Sequence, residues 1–273
     1  MKLWFLSLCL ALFVAFAQAG PYAPAAEQPG STAIHYDSTS IVGWARGYQD
    51  LVRGPADKSN PGLGNVSYGS GTDALDASDG EQNSSLTVVS LGDGGRITLT
   101  FERPIANGSG PDFAVFENGI SDSFLELAFV EVSSDGLNFT RFRAVSLTQT
   151  ATQVDAFPRL DELDPTDLYN LAGKYRVGFG TPFDLAELTG TPGLDINNVT
   201  HVRIVDVVGS INPLYGSLDS LSNLINDPWP TVFGTGGFDL DAVGVLNFAP
   251  VPEPCTPMMF LSAALIVAVR RRR

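Results

Sequence analysis

Gly92-Asp93-Gly94-Gly95-Arg96-Ile97-Thr98-Leu99-Thr100-Phe101 is a glycine-rich turn followed by an alternation of period two. Ile97, Leu99 and Phe101 fall on one face and Thr98 and Thr100 on the other, the pattern of a half-buried β-strand. The turn predicts a hairpin, with residues 86–91 as its outgoing strand. Working outward, the same punctuation recurs. Residues 112–117 and 125–133 read as strands, the second apolar on both faces and therefore central. Ser134-Asp135-Gly136 turns the chain, and residues 139–145 pair back. Residues 199–208 are strongly β-branched, and residues 240–248 close the domain. Helical periodicity is nearly absent. Two short helices are predicted, at 165–171 and at 182–188, the second with Thr181 as N-cap, Pro182 at its first position and Asp184 completing a capping box. No repeat of fixed period is present, which argues against a solenoid. These patterns imply an all-β sandwich with one or two short helices.

Both ends of the chain read as addresses. Lys2, an apolar run over residues 3–17 and Ala17-Gln18-Ala19 before Gly20 have the layout of a secretory signal peptide at 1–19. Residues 20–33 are rich in Pro and Ala and read as a flexible linker. The sandwich is expected over 34–249. Residues 250–273 form a tail: Pro252-Glu253-Pro254, fifteen uncharged residues, then Arg270, Arg271, Arg272 and Arg273. As a helix the apolar run covers roughly 22 Å, short of the ~30 Å hydrocarbon core, and arginine side chains can reach the interface to cover part of the deficit. Their charge predicts a cytoplasmic end with everything before the run outside.

This tail resembles the PEP-CTERM sorting signal of Gram-negative bacteria, with Pro252, Glu253 and Pro254 matching in full. The tail lacks the glycines common in such signals, and Cys255, Met258 and Met259 stand there instead. The resemblance implies export, transient anchoring in the inner membrane, and recognition or cleavage by an exosortase near Pro254. It places the protein at the cell envelope, the outer surface or the extracellular matrix. The plain alternative is a simple C-terminal membrane anchor.

Charge narrows the partners. All 30 Asp and Glu lie within residues 20–254, which hold only 11 of the 16 Lys and Arg, so the body carries a net charge of −19. Such a body repels nucleic acid and favours divalent cations and neutral or cationic partners. The two cysteines, Cys9 and Cys255, lie in the end segments, so the body has no disulfide. Nucleophilic catalysis is poorly served. His35 and His201 are the only histidines, no Gly-x-Ser-x-Gly elbow occurs, and zinc lacks ligands. Carboxylate pairs for glycoside hydrolysis are numerous, but no spacing selects one.

Hard cations are better supplied. Asp239 and Asp241 stand two apart at the start of a strand, and Glu117-Asn118 ends one. These four are the candidate calcium ligands, because calcium takes six to eight oxygens from carboxylates, amides and carbonyls. Asp73, Asp76 and Asp79 form a second oxygen-rich loop; ordinary turn chemistry explains each cluster equally. Among aromatics, Trp44 with Tyr48, and Tyr215 with Trp229 in the long loop 211–235, stand apart from the phenylalanines of the strands. Tyr215 and Trp229 either stack on a sugar ring or plug an open end of the sandwich. Five Asn-x-Ser/Thr sequons, at Asn65, Asn83, Asn107, Asn138 and Asn198, read as turn composition.

Within the body, Val89-Ser90-Leu91-Gly92 with Ile97-Thr98-Leu99, and Phe129 to Gly136 followed by Phe139, resemble hairpins of galactose-binding-like, discoidin-type jelly rolls. The wider pattern, from Pro111-Asp112-Phe113 through Asn118 and from Gly237-Phe238-Asp239 through Gly244, is similar to a group of exported PEP-CTERM cell-surface proteins. The resemblance implies a jelly-roll sandwich at the cell surface. The expected function is non-catalytic engagement of extracellular polysaccharide or another envelope component. A purely structural matrix protein and a polysaccharide-active enzyme are the alternatives.

Overall fold

The computed structural model describes residues 19–80, 87–156 and 163–251. The segment 1–18, Pro252-Glu253-Pro254 and Arg270 to Arg273 lie outside the described residues. No helix among the described residues is long and apolar enough to cross a membrane.

The described residues form an all-β sandwich. In chain order the strands are β1 (Ile34–His35), β2 (Gly43–Trp44), β3 (Gly47–Val52), β4 (Val89–Ser90), β5 (Arg96–Ile105), β6 (Phe113–Glu117), β7 (Ala128–Ser133), β8 (Thr140–Arg141), β9 (Val145–Ser146), β10 (Leu168–Tyr169), β11 (Phe179–Phe183), β12 (Val199–Asp206) and β13 (Asp239–Val245). One sheet runs β1-β11-β6-β13-β2, with β4 also on β13; the other runs β3-β5-β12-β7-β8. Every pairing within them is antiparallel. β9 and β10 make a separate small ribbon.

The core lies between the two sheets. Phe113, Val115, Leu240, Val243 and Val245 come from the first; Ile97, Leu99, Val130, Val132, Val202 and Ile204 from the second. Phe113, Phe142 and Phe183 meet at its centre, with ring centroids 5.1–6.0 Å apart. A second apolar cluster, including Leu125, Leu127, Phe129, Leu168 and Ile225, packs apart from this one.

The structure departs from the sequence reading in several places. The turn at 92–95 is a corner and not a hairpin, because β4 joins the first sheet and β5 the second. It is tight: Gly95 N–H donates to Gly92 O at 2.7 Å, and a Cβ on Gly95 would lie 2.0 Å from Leu91 O. The helix expected over 165–171 is a 3-10 turn, Pro165–Asp167, capped by Asp164 and followed directly by β10. The helix expected over 182–188 is displaced. Thr181 and Pro182 belong to β11, Asp184 is the N-cap, and the 3-10 turn is Leu185–Leu188. Pro182 suits an extended strand as well as a first helical position, and the ladder to β6 decides between them.

Residues 20–33 lie against the body. Gly20 and Tyr22 N–H donate to Thr166, Tyr22 stacks on Tyr169, Ala26 is buried, and Glu27 pairs with Arg176. The flexible linker expected there is therefore held at several points.

Candidate functional site

β13 opens with Asp239 opposite Ser90 of β4, and Leu240 lies opposite Glu117, the last residue of β6. The register slips between Leu240 and Ala242, so Asp241 sits at a bulge. The end of β6 and the start of β13 thus bring together the three acids that the sequence singled out. Asn118 follows directly as the chain leaves β6.

A cleft of about 330 Å³ opens at this corner. Its apolar walls are Ile120, Phe124, Ala156 and Phe233. Its polar groups are Asn118, Glu126, Thr231, Thr235 and Asp239. The loop after β6 is shaped by Glu117, whose Oε2 accepts Gly119 N–H at 2.6 Å. A Cβ on Gly119 would lie 2.7 Å from that oxygen, so only glycine lets the carboxylate close on its own loop. Thr231 Oγ1 accepts Gly237 N–H at 2.8 Å and holds the far wall to the start of β13.

The carboxyls at this corner differ in how they are satisfied. Asp241 accepts from the Ser78 hydroxyl and, at 3.5 Å, from Asp79 N–H. Asp239 is 5% exposed, and its Oδ1 is buried without a hydrogen-bond partner; Glu117 Oε1 is in the same state. The Ser90 hydroxyl, on the strand residue opposite Asp239, is near enough to draw its pKa down but is not placed for a regular hydrogen bond. Arg53, the nearby cation, donates to the carbonyls of Tyr68, Ser90 and Gly69. Glu126, half-buried in the cleft, makes no side-chain hydrogen bond to the described residues.

Burial pushes the Asp239 carboxyl up to about 7, against the pull of Ser90 and the Arg53 charge. Burial lifts Asp241 to about 6, with the Ser78 and Asp79 bonds opposing. Glu117 is raised well above the carboxylate range by burial first and by the Asp239 charge second. Glu126 is raised by burial and then by the charges of Asp239, Glu117, Asp227 and Asp206.

Behind the cleft, other buried acids brace the backbone. Asp206 accepts Phe238 N–H at 2.7 Å and Gly94 N–H at 2.9 Å, joining the 92–95 corner to β13. Asp227 accepts Leu127 N–H at 3.0 Å. These oxygens are committed to structure.

The candidate calcium ligands are partly engaged within the protein. Asp241 accepts from Ser78 and Glu117 Oε2 from Gly119, while Asp239 Oδ1 and Glu117 Oε1 have no hydrogen-bond partner. Among the described residues no group of three or more His, Cys, Asp or Glu could hold a metal ion. The loop of Asp73, Asp76 and Asp79 is turn chemistry. Asp73 closes a capping box with Ser70, Asp76 pairs with Arg46, and Asp79 donates its N–H to Asp241.

Tyr215 and Trp229 do meet, with ring centroids 6.4 Å apart and planes 24° from parallel. Both are half-buried, and the indole N–H donates to Asp93 Oδ2 at 2.9 Å. Trp229 therefore has a ring face against Tyr215 and its one donor committed, as a plug requires. Trp44 and Tyr48 are strand residues of β2 and β3, and Trp44 packs on Phe116 at 5.4 Å. His201 shares a hydrogen bond with Thr200 at 2.7 Å and packs edge-on to Phe139. His35 pairs with Asp37 on the surface.

Glu126 was not singled out by sequence reasoning. Its one signal is a charge set between Leu125 and Leu127, two residues with no exposed surface. Comparison of the chain with protein-family models and with curated proteins finds no match in either, and the cleft is therefore read from its own residues.

Proposed function

We propose that the protein is an exported cell-surface protein that binds saccharide without transforming it, and that the cleft between Asn118, Glu126, Thr231 and Asp239 is the binding site. The observation that carries this reading is the composition of the cleft. Phenylalanine and isoleucine walls face the apolar side of a sugar ring, and carboxylates, an amide and two hydroxyls supply acceptors and donors for its hydroxyls. The volume is at the small end of ligand sites and suits one or two sugar units. The signal-like 1–19 and the tail at 250–273, with its likeness to a PEP-CTERM signal, support an envelope location, and with it extracellular polysaccharide as ligand and an exosortase as processing partner.

The test is a glycan array with the full chain in mild detergent, beside an Ile120→Asp variant that places a charge on the cleft wall. Retention on at least one polysaccharide, lost in the variant, is the expected result. Silence across neutral, acidic and basic glycans would favour a structural matrix role. Mass spectrometry of the native protein should find a start near Gly20 and an end near Pro254, and an intact chain in the cytosol would refute export.

A second reading has one observation behind it. Glu126 and Asp239 are two carboxyls with raised pKa in a single cleft, which is where a glycoside-cleaving acid would stand. Release of reducing ends from a bound polysaccharide would move the protein into that class.

A further inference from the structure

We infer that the cleft selects a saccharide bearing a free ammonium group, an amino sugar, held through Asp239 and Glu126. This inference rests on the saccharide reading above and names the ligand's chemical class.

The argument begins with an imbalance of charge. Asp239 and Glu126 both line the cleft, and neither has a cation bonded to it among the described residues. Asp239 Oδ1 is buried and has no donor, a state that costs free energy in a folded protein. Glu117, the register partner of Leu240, adds a second orphaned carboxylate oxygen. Arg53 is the nearest relief, but its guanidinium donates to the carbonyls of Tyr68, Gly69 and Ser90. In their ionised state these carboxyls leave the corner short of a positive charge and of hydrogen-bond donors.

Size and valence decide between cations. A divalent ion requires more oxygens than these side chains leave free, and the described residues gather no three-acid set for one. A primary ammonium carries one charge and three N–H donors on a single point. It needs about three acceptors, which Asp239, Glu126 and the Asn118 amide oxygen or a threonine hydroxyl can supply. The remainder of the cleft, walled by Phe124, Ile120 and Phe233, is apolar and takes the ring that bears the amine. Burial of the pair holds these carboxyls toward their protonated forms, and an ammonium brought beside them restores the ionised state, so the gain is made only with a cationic ligand.

The experiment is isothermal titration of the full chain in mild detergent, at neutral pH, with a glucosamine disaccharide and with its N-acetylated counterpart. The amine form should bind at least about tenfold tighter. Asp239→Asn and Glu126→Gln should each reduce the preference for the amine form over the acetylated form to under about twofold, with unfolding curves confirming that both variants fold, and an undiminished preference in both variants would overturn the inference. Equal affinity for the two sugars would overturn the ammonium inference and leave the saccharide reading standing. Absence of binding by either would overturn both. Calcium binding that Asp239→Asn abolishes would also overturn it, by giving the orphaned oxygens to a metal.

Discussion

An Asp112→Ala protein is expected to lose about 3–5 kcal/mol of stability, the largest loss foreseen for an acid on this chain. Asp112 has no exposed surface. Its Oδ2 accepts Leu185 N–H at 2.8 Å, and its Oδ1 accepts Gly108 N–H at 2.7 Å and the Asn247 amide at 3.0 Å. One carboxylate therefore ties the approach to β6, the Leu185–Leu188 turn and the exit from β13. Burial raises its pKa, with these bonds pulling the other way. Alanine would strand the N–H of Leu185, itself fully buried, and release both loops. For a domain of this size the melting temperature should fall by roughly 10 °C. A thermal scan showing a drop under about 2 °C would mean that the clamp is ornamental and the loops are held by packing alone.

The second large effect is of opposite sign and concerns pH. Asp239 is buried nearly as fully as Asp112, yet one of its oxygens has no partner, and burial raises its pKa to about 7. A carboxyl raised above its unfolded value keeps its proton in the folded state after the unfolded chain has lost it. Its contribution is full below about pH 4 and is lost as pH rises through 7. Asp241, at about 6, acts the same way in the lower part of that window. For Asp239 the rise to about 7 sets a ceiling of about 4 kcal/mol between pH 4 and 7. The other groups that act at this corner are Glu117 and Glu126, raised in the same direction, and Arg53, whose charge opposes the shift. Asp239→Asn should match the native protein only below about pH 4, and exceed it by about 1–3 kcal/mol at pH 8. Urea midpoints of the two proteins at both pH values make the comparison, and profiles that run parallel would contradict the assignment.

The contrast between these two aspartates marks the limit of sequence reading. Strict alternation at 97–101 and the β-branched run at 199–208 made the sandwich legible, because a period of two needs only local information. Pairing was not legible. Residues 89–90 and 96–101 look like two arms of a hairpin, yet they serve different sheets, since the partner of β4 is β13, some 150 residues on. Strands of two residues, β1 and β2 among them, are too short to show a period at all. Pro182 and Asp184 predict the opening of a helix, but the ladder from β11 to β6 takes Pro182 into a strand and leaves Asp184 to cap a short 3-10 turn.

The site was legible in the same partial way. Asp239 and Asp241 stood out through their spacing, and Glu117-Asn118 through its place at a strand end; the fold does bring them together. That Asp241 is engaged by Ser78 is a contact across 163 positions, which no local pattern reveals. Glu126 was hidden inside a run otherwise read as a central strand. Tyr215 and Trp229 were correctly paired from their loop, but the bond from the indole to Asp93 makes the tryptophan a brace.

The most direct measurement of the central claim is a hydrogen-exchange footprint of the full chain with and without saturating saccharide. Slowed exchange confined to residues 118–126 and 231–239 is the result the account predicts. Slowed exchange over residues 211–229 with the cleft unchanged would contradict it and move the binding site to the Tyr215–Trp229 loop.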